Sequence, residues 1–277
     1  MPDNSTLSTR MKENYENRTK TYLTRRTPTI IRLDGKSFSN YTKGLNKPFD
    51  EGLIEDMQET TKFLCENIQG CKMGYTQSDE ITLVLTDYDK IESSAWFDYS
   101  VQKMTSISAS LATAKFNQLR VKRMIKVKTK KTKWDKVTDE TFSMNINQCV
   151  ETNLAFFDSR VFQIPEKEEV VNCLIWRQRD AEKNSIAMLA QSLYSPTELH
   201  KKNGNDMQEM CFQKGYNWND LHFSKKRGSF IIKNTYVDGI LRKLPCEIES
   251  NSVIRSKWEV VETPMFGKDR DSILKLI

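Results

Sequence analysis

Histidine is scarce in this sequence, since only His200 and His222 occur among its 277 residues. Two isolated imidazoles exclude most histidine-based metal sites and histidine-dependent nucleophiles. The six cysteines form no Cys-x-x-Cys pair, which excludes the spacing of a zinc knuckle. A catalytic metal would therefore need oxygen ligands, the kind that Mg²⁺ and Mn²⁺ prefer.

Long hydrophobic runs are also missing. No apolar stretch approaches the ~18–20 residues that are needed to span a bilayer, and residues 1–6 lack the basic and apolar regions of a signal peptide. We therefore expect a cytoplasmic protein with no membrane partner. A composition of 38% hydrophobic and 29% charged residues is ordinary for a globular chain.

Positive charge is concentrated in one segment. Residues 120–136 contain nine Lys or Arg and one Asp, a local net charge of +8 in a chain whose total is +6. The segment is either a solvated loop or hairpin, or a surface that contacts the phosphates of a nucleic acid. The alternation of apolar residues favours a two-stranded ribbon; these are Val121, Met124, Ile125, Val127 and Trp134.

Apolar runs predict four short strands. Three of them lie at residues 29–33, 71–76 and 81–86, and the fourth ends at Phe162. An amphipathic pattern after Pro48 predicts a helix that ends near Gly70, and a run rich in small residues predicts a long helix over about 93–119. The order strand–helix–strand–strand–helix–strand is typical of an α+β fold, a ferredoxin-like split βαβ with an antiparallel sheet.

We expect two units within one integrated domain. Residues 1–164 form a palm-like catalytic core with an N-terminal helix and the basic insertion at 120–136. Residues 165–277 form a helical C-terminal lobe, in which residues 229–233 read as a strand.

Two acidic segments follow predicted strands, at Asp34-Gly35 and at Ser78-Asp79-Glu80. In a split βαβ sheet these ends are neighbours, so Asp34 and Asp79 can face each other. Two carboxylates and a carbonyl at the glycine turn suffice to bind two Mg²⁺, which suits phosphoryl or nucleotidyl transfer. Gly35 lets the amides of the next three residues approach a triphosphate. Ser78 either supports its turn or contacts phosphate, and two structural turns are the alternative to a metal site.

Seven segments carry a more specific signal. They are residues 10–16, Leu23-Thr24-Arg25-Arg26-Thr27-Pro28, Ile30-Ile31-Arg32-Leu33-Asp34-Gly35-Lys36-Ser37-Phe38, Lys47-Pro48-Phe49-Asp50, Tyr75-Thr76-Gln77-Ser78-Asp79-Glu80-Ile81, Phe157-Asp158-Ser159-Arg160-Val161 and Trp176-Arg177-Gln178-Arg179-Asp180. In these motifs and their order the chain resembles the tRNA-His guanylyltransferase superfamily, the 3′-to-5′ reverse RNA polymerases. The resemblance extends from about residue 8 to 185.

The resemblance implies a polymerase-type palm and a nucleotidyltransferase. It implies two Mg²⁺ ions on Asp34, Asp79 and the carbonyl of Gly35, with Glu80 as the second acidic residue of the catalytic pair. The implied nucleotide-binding residues are Gly35, Lys36, Ser37, Phe38, Lys47 and Ser78. The implied substrates are tRNA, ATP for activating its 5′ end, and GTP or another nucleoside triphosphate for addition. A homotetramer is also implied.

The chain departs from the tRNA-His-specific members at two places. Their His-Ile-Asn-Asn stretch is replaced by Glu182-Lys183-Asn184-Ser185, and residues 96–105 contain only Lys103 where those members have a Lys/Arg-rich motif. These differences favour the bacterial and phage guanylyltransferase-like branch, which repairs truncated tRNA 5′ ends by template-directed addition. The alternative is addition of a single G at position −1 of tRNA-His.

Nine residues are candidate RNA contacts: Arg25, Arg26, Lys122, Arg123, Lys128, Lys130, Lys131, Arg177 and Asn184. Arg25 and Arg26 could equally form a solvated helix end, and Arg177 could form a structural ion pair. A catalytically silent RNA-binding module is disfavoured, because an idle site has no need for two adjacent, mutually repelling carboxylates.

Overall fold

A single antiparallel sheet of six strands forms the centre of the computed structural model, which describes residues 6–131, 154–241 and 250–277. The strands are β1 (Thr29–Gly35), β2 (Cys71–Gln77), β3 (Glu80–Leu85), β4 (Phe157–Gln163), β5 (Ser229–Leu241) and β6 (Ser250–Val261). Their order across the sheet is β4-β1-β3-β2-β5-β6. The predicted α+β fold with an antiparallel sheet is therefore confirmed, and β1 is a neighbour of the β2–β3 hairpin as expected.

Eight α-helices occur in the described parts of the chain. They are α1 (Leu7–Met11), α2 (Phe38–Tyr41), α3 (Glu51–Asn67), α4 (Val101–Lys131), α5 (Lys167–Leu193), α6 (Gly204–Gln213), α7 (Phe223–Lys226) and α8 (Arg270–Leu274). Helix α3 starts where the Asp50 carboxylate accepts a 2.8 Å hydrogen bond from the amide of Leu53, a standard N-cap. None of these helices is long and apolar enough to cross a membrane, and the cytoplasmic location stays a prediction.

Both faces of the sheet are buried. Successive residues of β1 point to opposite faces, and both sets pack against helices. Ile31 and Leu33 pack with α3 and α4, whereas Ile30 packs with α5. Asp34 is four residues after Ile30, so its side chain points to the same face of the sheet, the face that α5 covers. The site therefore forms where this face reaches the end of β1.

The basic segment differs from the prediction. We expected the long helix to end near residue 119 and a ribbon to follow, but α4 starts at Val101 and continues to Lys131. The ribbon is therefore wrong for residues 120–131; residues 132–136 lie outside the described chain. Val121, Met124 and Ile125 are spaced i, i+3, i+4, which is a helical pattern that we had read as alternation.

The C-terminal unit is helical only in part. Helices α5 to α7 enclose a small core of their own, which includes Leu189, Cys211 and Trp218. Strands β5 and β6 then belong to the sheet, where β5 pairs with β2 and β6 pairs with β5. The apolar run Phe230-Ile231 is buried there, so the sheet continues across the predicted boundary at 164–165.

Candidate active site

The two acidic segments lie side by side at one end of the sheet. Asp34 of β1 is the cross-strand partner of Glu80, the first residue of β3. The amide of Gly35 donates a 3.1 Å hydrogen bond to the carbonyl oxygen of Asp79, which ties β1 to the β2–β3 turn. Since cross-strand partners have Cβ atoms about 4.5–5.5 Å apart, the structure brings together carboxylates that are distant in the sequence.

The turn that carries Asp79 is short and strained. Gln77 and Glu80 are cross-strand partners, so Ser78 and Asp79 alone connect the strands, and Ser78 adopts a left-handed backbone conformation with φ of 51°. That conformation is uncommon for residues other than glycine. The Ser78 hydroxyl hydrogen-bonds the Asp79 carboxyl and lowers its pKa, so Ser78 supports the turn, and its contact with phosphate stays a prediction.

Asp79 is in an environment that disfavours its charge. Burial raises the pKa of the Asp79 carboxyl, and the negative charge of Asp34 raises it further, against the opposing effect of Ser78. A divalent cation between the two carboxylates would offset both effects, because it stabilises the charged form of each carboxyl. The electrostatics of the turn therefore favour a bound cation.

Glu80 is paired with a buried arginine from α5. Arg177 Nε lies 2.8 Å from Glu80 Oε1, and both side chains are about nine-tenths buried. Burial raises the pKa of Glu80, while the charges of Arg177 and Arg32 partly oppose this shift. The Arg177 guanidinium also binds Asp180 at 2.7 Å and stacks on Trp176, 4.2 Å from its ring centre.

This arrangement revises the prediction for Arg177. A guanidinium with two carboxylate partners and only 6% exposure of the residue is not available to RNA. We assign it to positioning Glu80. From the sequence, the spacing of Arg177 and Asp180 allowed a polar helix surface, a structural ion pair or an RNA contact, whereas no sequence signal indicated the long-range pairing with Glu80.

The loop after β1 is anchored by an aromatic side chain. Phe38 packs 4.9 Å from Tyr41 and 5.6 Å from Phe116, measured between ring centres, and its ring occupies the space that a Cβ at Gly35 would need. The Phe38 side chain is therefore structural, so only its backbone can contact a nucleotide. Lys36 and Ser37 are exposed, but the amide of Lys36 donates a 2.8 Å hydrogen bond to the carbonyl of Phe156, so the side chain of Lys36, not its amide, is available to a nucleotide.

A cleft of about 190 Å³ reaches the β2–β3 turn at Gln77 and Ser78, although neither Asp34 nor Asp79 lines it, and it gathers three of the predicted residues. One wall comes from the segment before α3 and from its first turns, and includes Lys47. The other wall comes from α5 and α7 and includes Asn184, and Ser78 lies in the β2–β3 turn between the walls. Asn184, predicted as an RNA contact, is thus placed at the cleft.

The donor set suits a hard divalent cation. The carboxylates of Asp34 and Asp79 and the carbonyl of Gly35 are all oxygen ligands, which Mg²⁺ prefers. Within the described ranges, no group of three or more His, Cys, Asp or Glu side chains forms a ready metal cluster. A cation here would therefore draw its remaining ligands from the Gly35 carbonyl, from water and from phosphates.

Arg25 and Arg26 lie far from this end of the sheet. They precede β1, whereas Asp34 is near its end. Arg25 Nε donates to Asp87 Oδ2 at 2.6 Å and its Nη1 lies 3.2 Å from Asp98, while the amide of Arg26 also donates to Asp87. Through these contacts Arg25 and Arg26 link the chain before β1 to Asp87 and Asp98. RNA contact by either arginine stays a prediction.

The basic part of α4 begins next to α3. Arg123 Nη2 lies 2.8 Å from Asp56 and 2.9 Å from Glu55, whereas Lys122 is exposed. The two carboxylates raise the pKa of Arg123, so its charge is already matched within the protein. The backbones of Lys128, Lys130 and Lys131 are helical, and their side chains lie outside the described atoms.

Sequence reasoning did not single out the charged residues that surround Asp34 on its face of the sheet. Asp158 of β4 is the other cross-strand partner of Asp34, and Arg160 is the partner of Arg32. The period-two alternation of β1 and β4 was a sufficient signal to find them, once the two strands had been paired.

Comparison with known proteins agrees with this geometry. The family model described as "Thg1: tRNAHis guanylyltransferase" matches residues 8–165. A bacterial tRNA(His) guanylyltransferase-like protein, solved in complex with ATP, is 39% identical; the match covers 98% of this chain and 99% of that one, with a TM-score of 0.77. A structure of such a protein with GTP is also 39% identical, with the same coverage and a TM-score of 0.72.

A curated relative extends the match to eukaryotes. The tRNA(His) guanylyltransferase of Saccharomyces cerevisiae is 24% identical over 218 residues, which cover 74% of this chain and 81% of the yeast protein.

Proposed function

This chain belongs to the tRNA(His) guanylyltransferase family of nucleotidyltransferases, and from that premise we propose that it adds nucleotides in the 3′–5′ direction to the 5′ end of tRNA. The proposed activity is template-directed repair of tRNAs that have lost 5′ nucleotides. The observation that carries the proposal is the junction of Asp34 and Asp79, together with a cleft that reaches the same β2–β3 turn and is lined by Lys47 and Ser78. Paired carboxylates next to a basic cleft fit nucleotidyl transfer.

Two Mg²⁺ ions are part of the proposal, with Asp34, Asp79 and the Gly35 carbonyl as ligands. When bound, they would activate the attacking hydroxyl and neutralise the charge of the triphosphate. The chain itself supplies alignment, because the Gly35–Asp79 hydrogen bond fixes the two ligand segments against each other. Arg177 keeps Glu80 placed beside Asp34.

The proposed nucleotide site is the cleft together with the loop after β1. Lys47 and Ser78 would contact phosphates, and the exposed Lys36 side chain together with the Ser37 amide would complete the cradle. The proposed substrates are ATP, which activates the 5′ end, and GTP or another nucleoside triphosphate, which is added. The complexes of bacterial relatives with ATP and GTP support this choice.

The RNA is proposed to lie along α4. A Cβ at Gly52 would come within 2.9 Å of the Arg123 side chain, so the basic part of α4 starts against the first turn of α3. The same turn of α3 lines the cleft at Leu53. A phosphate backbone that contacts Lys122 would therefore run close to the nucleotide; Lys128, Lys130 and Lys131 are proposed to continue this contact.

Repair is preferred to addition of a single G because of residues 182–185. Glu182 Oε1 lies 3.4 Å from Arg227, and Ser185 donates a 2.5 Å hydrogen bond to the carbonyl of Lys225. Glu182 and Ser185 therefore serve internal contacts, and Asn184, which donates a 3.4 Å hydrogen bond to Asp180, lines the cleft.

A homotetramer in the cytoplasm completes the proposal. The exposed apolar residues Leu7, Met11 and Tyr15 recur every four positions along the N-terminal helical segment, which supports burial of this segment between subunits. Light scattering of the purified protein should give four times the chain mass of 32.3 kDa.

The test compares two RNAs in the presence of Mg²⁺ and nucleoside triphosphates. One is a 5′-triphosphorylated tRNA that lacks its first nucleotide, and the other is full-length tRNA-His. We expect the truncated tRNA to be extended by the nucleotide that its 3′ strand specifies. Extension of tRNA-His alone would support single-G addition instead, and extension of neither would contradict the proposed enzyme.

A pair of variants tests the site itself. Asp79→Ala should abolish extension while RNA binding is kept. Asp89→Ala is the matched control, because Asp89 is an acidic residue beyond the opposite end of the β2–β3 hairpin and its side chain is 56% exposed. Equal activity of the two variants would remove Asp79 from the metal site.

A further inference from the structure

An ion pair bridges the two sides of the cleft. Lys225 Nζ lies 2.8 Å from Glu51 Oε1. Lys225 belongs to α7 and lines the wall formed by the helical lobe, whereas Glu51 is the first residue of α3 and follows Asp50, which lines the other wall. The hydrogen bond and the charge of Lys225 lower the pKa of Glu51, which favours the carboxylate form of its side chain.

The two partners are fixed to different degrees. Ser185 holds the Lys225 backbone through a 2.5 Å hydrogen bond to its carbonyl oxygen, and the amide of Lys225 donates to the carbonyl of His222 at 2.9 Å. The Lys225 side chain is 24% exposed, whereas that of Glu51 is 75% exposed. The carboxylate can therefore move into water at little cost, and the ammonium stays at the cleft.

Neighbouring charges leave Lys225 available to an anion. Asp50 is the nearest other carboxylate of the α3 wall, and its oxygens accept hydrogen bonds from the amides of Leu53 and Asn46. Lys226 donates instead to the carbonyl of Asn219 at 2.6 Å. An exposed carboxylate is a weak partner for a lysine, because water solvates it well, so a multiply charged phosphate can displace Glu51.

We propose that Lys225 is a phosphate-binding residue of the cleft and that Glu51 competes for it with the bound nucleotide. Without ligand, Glu51 occupies the lysine; with a nucleoside triphosphate, a phosphate oxygen takes its place and Glu51 turns to solvent. This inference rests on the proposed function, since it assumes that a nucleoside triphosphate enters this cleft. It adds an ion pair between the palm-like core and the helical lobe, Glu51–Lys225, that forms when the cleft is empty and opens when a nucleotide binds.

Replacing Lys225 and replacing Glu51 should change the affinity for nucleotide in opposite directions. Lys225→Met removes the phosphate contact and should raise the dissociation constant for α,β-methylene ATP about tenfold, as for loss of a charge-assisted hydrogen bond. Glu51→Gln frees the lysine and should lower that constant about threefold, the usual strength of an exposed pair. Calorimetric titration of the full-length protein with Mg²⁺ and the analogue measures both.

Matched controls separate this effect from ordinary loss of a surface ion pair. Lys72 and Asp89 form a pair of similar exposure, 21% and 56%, outside the cleft. Lys72→Met and Asp89→Asn should leave the dissociation constant unchanged. Adenosine, which has no phosphate, should bind the wild type and Lys225→Met equally.

The outcomes are distinguishable. If wild type binds the analogue and both Lys225→Met and Glu51→Gln weaken it, the pair is only structural and the inference is overturned. If Lys225→Met weakens adenosine as much as the analogue, the lysine does not contact phosphate. If wild type binds no nucleotide at all, the proposed function falls, and the inference with it.

Discussion

Replacing Arg177 should destabilise the protein through the charge that it leaves behind. Arg177→Met keeps much of the side-chain volume and removes the cation that faces Glu80. Breaking a buried ion pair on one side usually costs about 3–5 kcal/mol, because the remaining charge is buried without compensation. The Glu80 side chain is 12% exposed and Arg177 is 8% exposed. We therefore expect a loss of about 3 kcal/mol in the free energy of unfolding near pH 8.

The loss should depend on pH in a defined direction. Burial already raises the pKa of Glu80 above its value in the unfolded chain, and Arg177 opposes this shift. Without Arg177 the pKa of Glu80 rises further, so the folded protein binds a proton at a higher pH than the unfolded chain does. Stability then increases as the pH falls through this raised pKa. The deficit of Arg177→Met should be largest near pH 8 and smaller near about pH 5.

Urea unfolding at the two pH values measures the effect. The double variant Glu80→Gln/Arg177→Met should recover most of the lost stability, because neither charge of the buried pair remains. Arg160→Met is the control: its partner Asp158 lies 3.6 Å away and both side chains are more than half exposed, so we expect a loss of at most about 1 kcal/mol. An equal deficit at both pH values, together with no recovery in the double variant, would refute the reasoning.

Three further predictions concern the site and its support. Asp79→Asn should abolish 5′ extension. In the absence of Mg²⁺ it should raise the free energy of unfolding by about 1 kcal/mol, because burial and Asp34 raise the pKa of this carboxyl. A thermal melt of the metal-free variant that shows lower stability than wild type would contradict this. Gly35→Ala should weaken nucleotide binding, because the added methyl overlaps the Phe38 ring and overpacking of this kind costs about 1–3 kcal/mol; unchanged affinity would exclude the loop from the nucleotide site. Asp56→Asn should lower the free energy of unfolding, measured with urea, by about 3 kcal/mol. The reason is that two arginines of α4 lose a carboxylate partner that is 2% exposed. A decrease smaller than that for an exposed ion pair would show that the cluster is solvated.

The junction of Asp34 with the β2–β3 turn was predictable from the sequence because its causes are local. A β-branched run before Asp34 and a two-residue turn at Ser78-Asp79 each specify a strand end. The split βαβ order then makes β1 and β3 neighbours. Two local patterns and one topological rule therefore suffice to place the carboxylates together.

Other features depend on contacts that no local pattern contains. The pairing of Arg177 with Glu80 joins a helix to a strand across about 100 positions, and nothing near either residue marks the other. The extension of α4 past Arg120 was misread because the apolar residues in a lysine-rich stretch are few. Asp56 on α3 binds two arginines of α4 and stabilises that helical extension.

The pairing of β5 with β2 has a consequence for synthesis of the chain. Gly74 of β2 is the cross-strand partner of Ile231 of β5, and a ribosome adds about 5–20 residues per second. Roughly ten to thirty seconds therefore separate the appearance of the two strands. During that interval one edge of β2, which leads into the Asp79 turn, has no partner, and an open edge of this kind invites pairing with other chains. Nascent chains that stall before residue 229 should therefore be strong chaperone clients.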